Sequence, residues 1–184
     1  MTETEMIRQL SAKSPAAVEH DDPNAAFAND GLQTRNLARV RVPDTQGACL
    51  ADNGTQANIK TLVVIALPPA GSPQVTLALQ FANASYELST TDKQQLVTLA
   101  RAMRSTTLRH ARFTVAGHTD ASGDPLVNEK LSCARALAAR TFLMTQGVAP
   151  ERLGAYGFGS SRPIEVGVVA SAENRRVEVR RAED

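Results

Sequence analysis

The chain has 184 residues, with 20 Lys plus Arg against 19 Asp plus Glu, 42% hydrophobic residues and 4% aromatics. A formal charge of +1 excludes duplex binding by broad phosphate neutralisation, which needs a concentrated basic stripe. The longest strongly apolar run, residues 62–67, is far short of the roughly 20 residues of a membrane helix, so no membrane span is expected.

The first ten residues carry Glu3 and Glu5 and no apolar core of a signal, which fits either a cytosolic protein or a chain written without its signal or anchor. Residues 3–10 can form one or two helical turns with Met6, Ile7 and Leu10 on one side, marginal unless they dock. From 11 to 54 the composition is polar and aperiodic, as expected of linker or loop. Residues 59–67 are β-branched and apolar, and 74–81 place Val75, Leu77, Leu79 and Phe81 at period two. Two strands around a Pro/Gly loop are expected.

Ser89 with Asp92 three positions on is a helix start, and Leu96, Leu99, Ala100 and Met103 recur at helical spacing, giving a helix over 90–104. Residues 112–117 form a short strand ending in a polar loop. Asp124 before Pro125 opens a long helix. Its expected buried stripe is Val127, Leu131, Ala134, Ala138, Phe142 and Thr145, with Gly147 as the stop. Strands over 152–157 and 175–181 follow, the latter with Val177 and Val179 inward and charges outward. The alternation predicts an α+β domain, a mixed sheet with helices on one face, in the order βαβαββ. The expected organisation is an extension over 1–58, a strand segment over 59–69, and a domain over 70–184 that folds alone.

Asp120 stands at a strand end before a Gly-containing loop, a common place for sites. Asn128, Ser132 and Arg135, spaced i, i+4 and i+7, line one face of the next helix. Asp120 and Arg135 thus offer opposite charges across one small space. A zwitterionic ligand fits it, with its ammonium on Asp120 and its carboxylate on the Arg135 fork. From spacing alone the commoner arrangement is a structural ion pair between the two.

Other chemistries find less support. His118, Asp120, Ser122 and Ser132 lack a nucleophile elbow, so no catalytic residue is assigned. His110, His118, Asp120 and Cys133 show no ligand spacing, so no metal and no cofactor is expected. Residues 157–162 begin like a dinucleotide fingerprint, but Arg162 replaces the third Gly and Pro163 follows; a turn is expected there. The basic run at 175–181 is interrupted by Glu178 and has no stacking aromatic, so it is expected to be a solvated strand face rather than a nucleic-acid strip. Cys49 and Cys133 allow at most one disulfide. Neither flank forces them together, so free thiols are the favoured expectation.

The block 117–136, containing Thr119-Asp120, Asn128, Leu131-Ser132 and Arg135-Ala136, is followed by Gly147, Arg152-Leu153, Gly157, Gly159, Pro163 and Asn174-Arg175-Arg176-Val177-Glu178. These elements, in this order, resemble the OmpA-like peptidoglycan-binding domain, and residues 81–89 resemble its opening strand-to-helix turn. The resemblance spans about 77–180. It implies non-covalent binding of diaminopimelate in the peptidoglycan stem peptide, with Asp120 and Arg135 as ligand contacts, Thr119 and Asn128 assisting, and Arg175 as a further candidate. It also implies a periplasmic or outer-membrane-associated setting with possible envelope protein partners. Ala82 stands where some members carry an acidic residue. The alternative is an interaction module without wall binding, whose partner docks on Tyr156 and Phe158.

Overall fold

The computed structural model describes residues 1–13, 47–49, 65–69, 71–79, 81–82, 85–164 and 171–182. Thr2 caps the first helix by accepting the Glu5 amide on its Oγ1 at 3.2 Å. The helix, α1 (Glu3–Ser11), buries Met6 and Leu10 and packs on the first strand and the second helix. Docking supplies what so short a helix lacks by itself.

Strand β1 (Gln74–Leu77) stops short of the expected residue 81. Its partner sets the limit: β4 (Val177–Ala182) pairs with it antiparallel, and the register ends at Leu77 opposite Val177. Helix α2 (Thr90–Arg104) starts with a reciprocal capping box between Ser89 and Asp92, and all four expected apolar positions are buried. Strand β2 (Arg112–Gly117) pairs parallel with β3 (Leu153–Gly157) and antiparallel with β4. The sheet order is β1-β4-β2-β3. Between β2 and β3 runs α3 (Pro125–Thr145), where Asp124 Oδ1 accepts the Leu126 and Val127 amides at 2.8 and 3.0 Å. Gly147, at φ +85°, then turns the chain in a conformation that a side chain disfavours. From β1 onward the order is βαβαββ, the α+β arrangement expected.

One sheet face carries Val75, Leu77, Phe113, Val115, Leu153, Val177 and Val179 into a core with Met6, Leu10, Leu99, Met103, Leu137 and Leu143. The helices lie on this face. Two arginines fasten its ends: Arg140 donates to the Leu153 carbonyl at 2.8 Å, and Arg152 donates to those of Ala111 and Leu108 at 2.8 and 2.7 Å.

Four further expectations change. The buried stripe of α3 is rotated: Val127 is 59% exposed, while Asn128, Ser132, Ala136, Ala139 and Leu143 face inward. The reason is backbone proximity. A Cβ at Gly157 would lie 2.7 Å from the Cys133 nitrogen, so only small residues of α3 fit against the strand ends. Glu178 does not face solvent; it is 6% exposed, among His118, Arg176 and Arg180. Cys49 and Cys133 are joined in a disulfide. Residues 47–49 run along the free edge of β3, with Cys49 N on Ala155 O at 3.0 Å and Gly157 N on Gly47 O at 2.8 Å, and this pairing brings Cys49 to α3. Finally, 65–69 carry no strand, although Ile65 is buried and its carbonyl accepts the Tyr156 hydroxyl. Residues 59–64 of that expected strand, and most of the expected linker, lie outside the described residues.

Candidate functional site

Strand β2 ends at Gly117, and the next residues leave the sheet with alternating directions. His118 N donates to Arg176 O at 3.0 Å and Thr119 N to Gly159 O at 2.8 Å, which ties the loop to two neighbouring segments. Asp120 then folds over the loop that follows: its Oδ1 accepts the Ser122 amide at 3.1 Å. Asn128, buried on the first turn of α3, donates to the carbonyls of Ser122 and Asp120 at 2.9 and 3.3 Å. It shapes the loop that presents Asp120. Ser132, one turn on, accepts the Gly159 amide at 2.9 Å and donates to Glu129 O at 2.7 Å, fixing the loop after β3 beside it.

Asp120 Oδ2 is bridged by Arg175 Nη1 at 2.6 Å, so the ion pair that spacing suggested between Asp120 and Arg135 is made with Arg175 instead. Arg135 reaches across to the segment before α2. Its Nε donates to Ser85 O at 3.1 Å, its Nη2 lies 3.5 Å from Ala82 O, and its guanidinium sits 4.8 Å from the centre of the Phe81 ring, a cation–π contact that fixes its plane. A guanidinium carries five N–H donors, and these bonds engage two. Thr119 is 3% exposed, and its Oγ1 has no hydrogen-bond partner among the described residues.

The three charges act on one another. Burial works against the Asp120 carboxylate, but Arg175 and then Ser122 outweigh it and hold the group below its ordinary value. Burial pushes Arg135 down, Arg175 adds repulsion, and Asp120 opposes both. Asp120, Arg135 and Arg175 are therefore one electrostatic cluster with two positive charges and one negative. Such a set can take an ammonium on the carboxylate and a carboxylate on the guanidinium groups.

The remaining candidates separate. The imidazole of His118 faces Glu178 at 3.7 Å on the sheet face away from the helices, so it is not aligned with Asp120, Ser122 or Ser132 as a base. Cys133 is in the disulfide. Tyr156 is 1% and Phe158 8% exposed, which removes the docking surface that the alternative reading placed on them. Sequence reasoning missed the buried set around Glu178, because a charged residue inside a basic run gives no sign that its strand is central.

The OmpA family is matched over residues 80–176. The putative lipoprotein YfiB of Escherichia coli K12 is 39% identical over 105 residues, 55% of this chain and 64% of that protein. The peptidoglycan-associated lipoprotein of Pseudomonas aeruginosa is 38% identical over 72 residues, 38% of this chain and 43% of that one. This chain thus spans less than two thirds of either relative. Among solved structures, the cell wall anchor of the T6SS from Pseudomonas aeruginosa superposes with a TM-score of 0.51 at 30% identity, over 65% of this chain and 88% of that one. No helix of the described residues is long and apolar enough to cross a membrane.

Proposed function

The chain belongs to the OmpA family, and on that premise we propose that it holds cell-wall peptidoglycan non-covalently, through the diaminopimelate of the stem peptide, and so anchors an envelope protein to the wall. The observation that carries this is the cluster of Asp120, Arg175 and Arg135 at the β2–α3 corner. Diaminopimelate ends in an ammonium and a carboxylate on one carbon, and the cluster offers a partner for each. The ammonium takes Asp120 in place of Arg175, and the carboxylate takes the free donors of Arg135 and the released Arg175. The Thr119 hydroxyl, unpartnered at the same corner, adds a neutral donor, and Asn128 keeps the loop in shape. No bond of the wall is made or broken. The similarity to a putative lipoprotein, a peptidoglycan-associated lipoprotein and a cell wall anchor supports a periplasmic, outer-membrane-associated setting.

Co-sedimentation with purified sacculi tests the reading. The protein is expected to pellet with diaminopimelate-type walls and to stay largely in solution with lysine-type walls, where the second carboxylate is missing. Equal retention on both wall types removes the diaminopimelate assignment; retention on neither removes wall binding.

A further inference from the structure

On the sheet face away from the helices lies a second cluster that shares no side chain with the first. The consecutive residues Arg175 and Arg176 divide between the two: Arg175 bridges Asp120, while Arg176 turns to Glu178, its Nε and Nη2 both donating to Oε1 at 2.8 and 2.6 Å. Arg180 takes the other oxygen of Glu178 at 2.9 Å. Glu178 is thereby committed on both oxygens. Arg176 is 5% exposed, and its Nη1 has no hydrogen-bond partner among the described residues. A buried guanidinium N–H left without an acceptor carries a large desolvation cost, and no carboxylate in the cluster remains to satisfy it.

These groups line a cavity of about 330 Å³. Arg162, lying 3.8 Å over the Phe158 ring, adds a third guanidinium. Leu67, Pro163 and Ile164 supply an apolar wall, and Gln74 sits at the rim on edge strand β1. His118, also lining the cavity, has its imidazole pushed down by burial, with Glu178 opposing and Arg176 and Arg180 adding repulsion. Among the described residues, three guanidinium groups against one carboxylate leave the cavity positive. We propose that it is a binding site for a small oxyanion, a carboxylate or a phosphate carried on a short apolar stem, which accepts from Arg176 Nη1 and is flanked by Arg162 and Arg180. The volume suits a ligand of a few heavy atoms, at the small end of known ligand cavities.

The test is a titration of the disulfide-bonded 184-residue chain followed by ¹H–¹⁵N spectra, with inorganic phosphate in one arm, valerate in a second and sodium chloride at matched ionic strength as control. Saturable shifts at the Arg176 and Arg180 Nε–H signals are expected with phosphate or valerate and not with chloride. Tighter phosphate assigns a phosphate group, and tighter valerate a carboxylate on an apolar stem. Arg162→Gln should weaken binding about tenfold, the value of one charged hydrogen bond, and Gln74→Glu, which places a negative charge at the rim, should abolish it. Both positions are outside the buried Arg176–Glu178 pair, so the fold is expected to survive. Asp120→Ala should leave the titration unchanged, which separates this site from the wall-binding reading. Shifts no larger than the chloride control, insensitivity to both rim variants, or loss on Asp120→Ala overturns the proposal.

Discussion

At Asp120 and Arg135 the same substitution has different consequences, because the two side chains are held differently. The Asp120–Arg175 bridge is partly open, with 43% of the Arg175 side chain exposed, and exposed pairs contribute about 1 kcal/mol or less. Asp120→Ala is therefore expected to remove sacculus binding with little change in urea midpoint. Arg135 is 2% exposed and satisfies Ser85 O, so Arg135→Ala should lose binding and also about 1–3 kcal/mol of stability through the carbonyl left unpaired. Should both variants bind like the parent, the assignment fails. The second cluster sets the acid response. Burial opposes the Glu178 charge, yet His118 and Arg176 hold its carboxyl far below 4.5, so its contribution is complete above pH 4.5 and is lost as pH falls through the folded value. His118 is depressed from 6.5, so it too contributes fully above that pH and loses stability as pH falls below it. Urea midpoints stepped down from pH 8 should decline in two stages. His118→Gln is expected to flatten the upper stage and Glu178→Gln the lower.

Among the elements, α3 depends on how closely it lies against β2 and β3. Gly117 faces the Ser132 carbonyl and Gly157 the Cys133 backbone, so neither strand end has room for a side chain. Gly157→Ala is expected to cost about 1–3 kcal/mol or more by forcing the helix away, measurable by denaturant unfolding. Because Ser132 and Asn128 ride on that helix, sacculus binding should weaken as well. An undiminished midpoint would mean that the helix shifts freely. The starts of α2 and α3 were legible because their caps, Ser89 with Asp92 and Asp124 before Pro125, bond to their own first turns. The end of β1 and the buried face of α3 were not, since each is set by what lies opposite.

For the molecule as a whole, the disulfide closes a segment of 84 residues and fastens 47–49 along β3. Replacing both cysteines with alanine should cost about 2–4 kcal/mol, the usual range for a native bridge, read from the shift in thermal midpoint; an unchanged midpoint would show that the bridge adds nothing to the fold. We propose that residues 70–184 still fold cooperatively alone, because β1 to β4, α2 and α3 lie within them. Their midpoint should be lower, since Met6 and Leu10 leave the core and burial of each such side chain contributes roughly 1.5–3 kcal/mol. A fragment that melts without cooperativity would place α1 and 47–49 inside the minimal domain.

The sequence by itself determined the α+β class, the order of strands and helices from β1 onward, and which residues form the β2–α3 corner, because period, caps and motif spacing are local and survive without the rest of the chain. It also singled out Asp120, Arg135, Thr119, Asn128 and Arg175. Only the tertiary structure decided that Asp120 pairs with Arg175 and Arg135 with the segment before α2, that Cys49 meets Cys133, and that Glu178 is buried among arginines. Each of these depends on which distant segment arrives beside a residue. Strand pairing and burial of the common core set that arrangement, and spacing along the chain does not encode it.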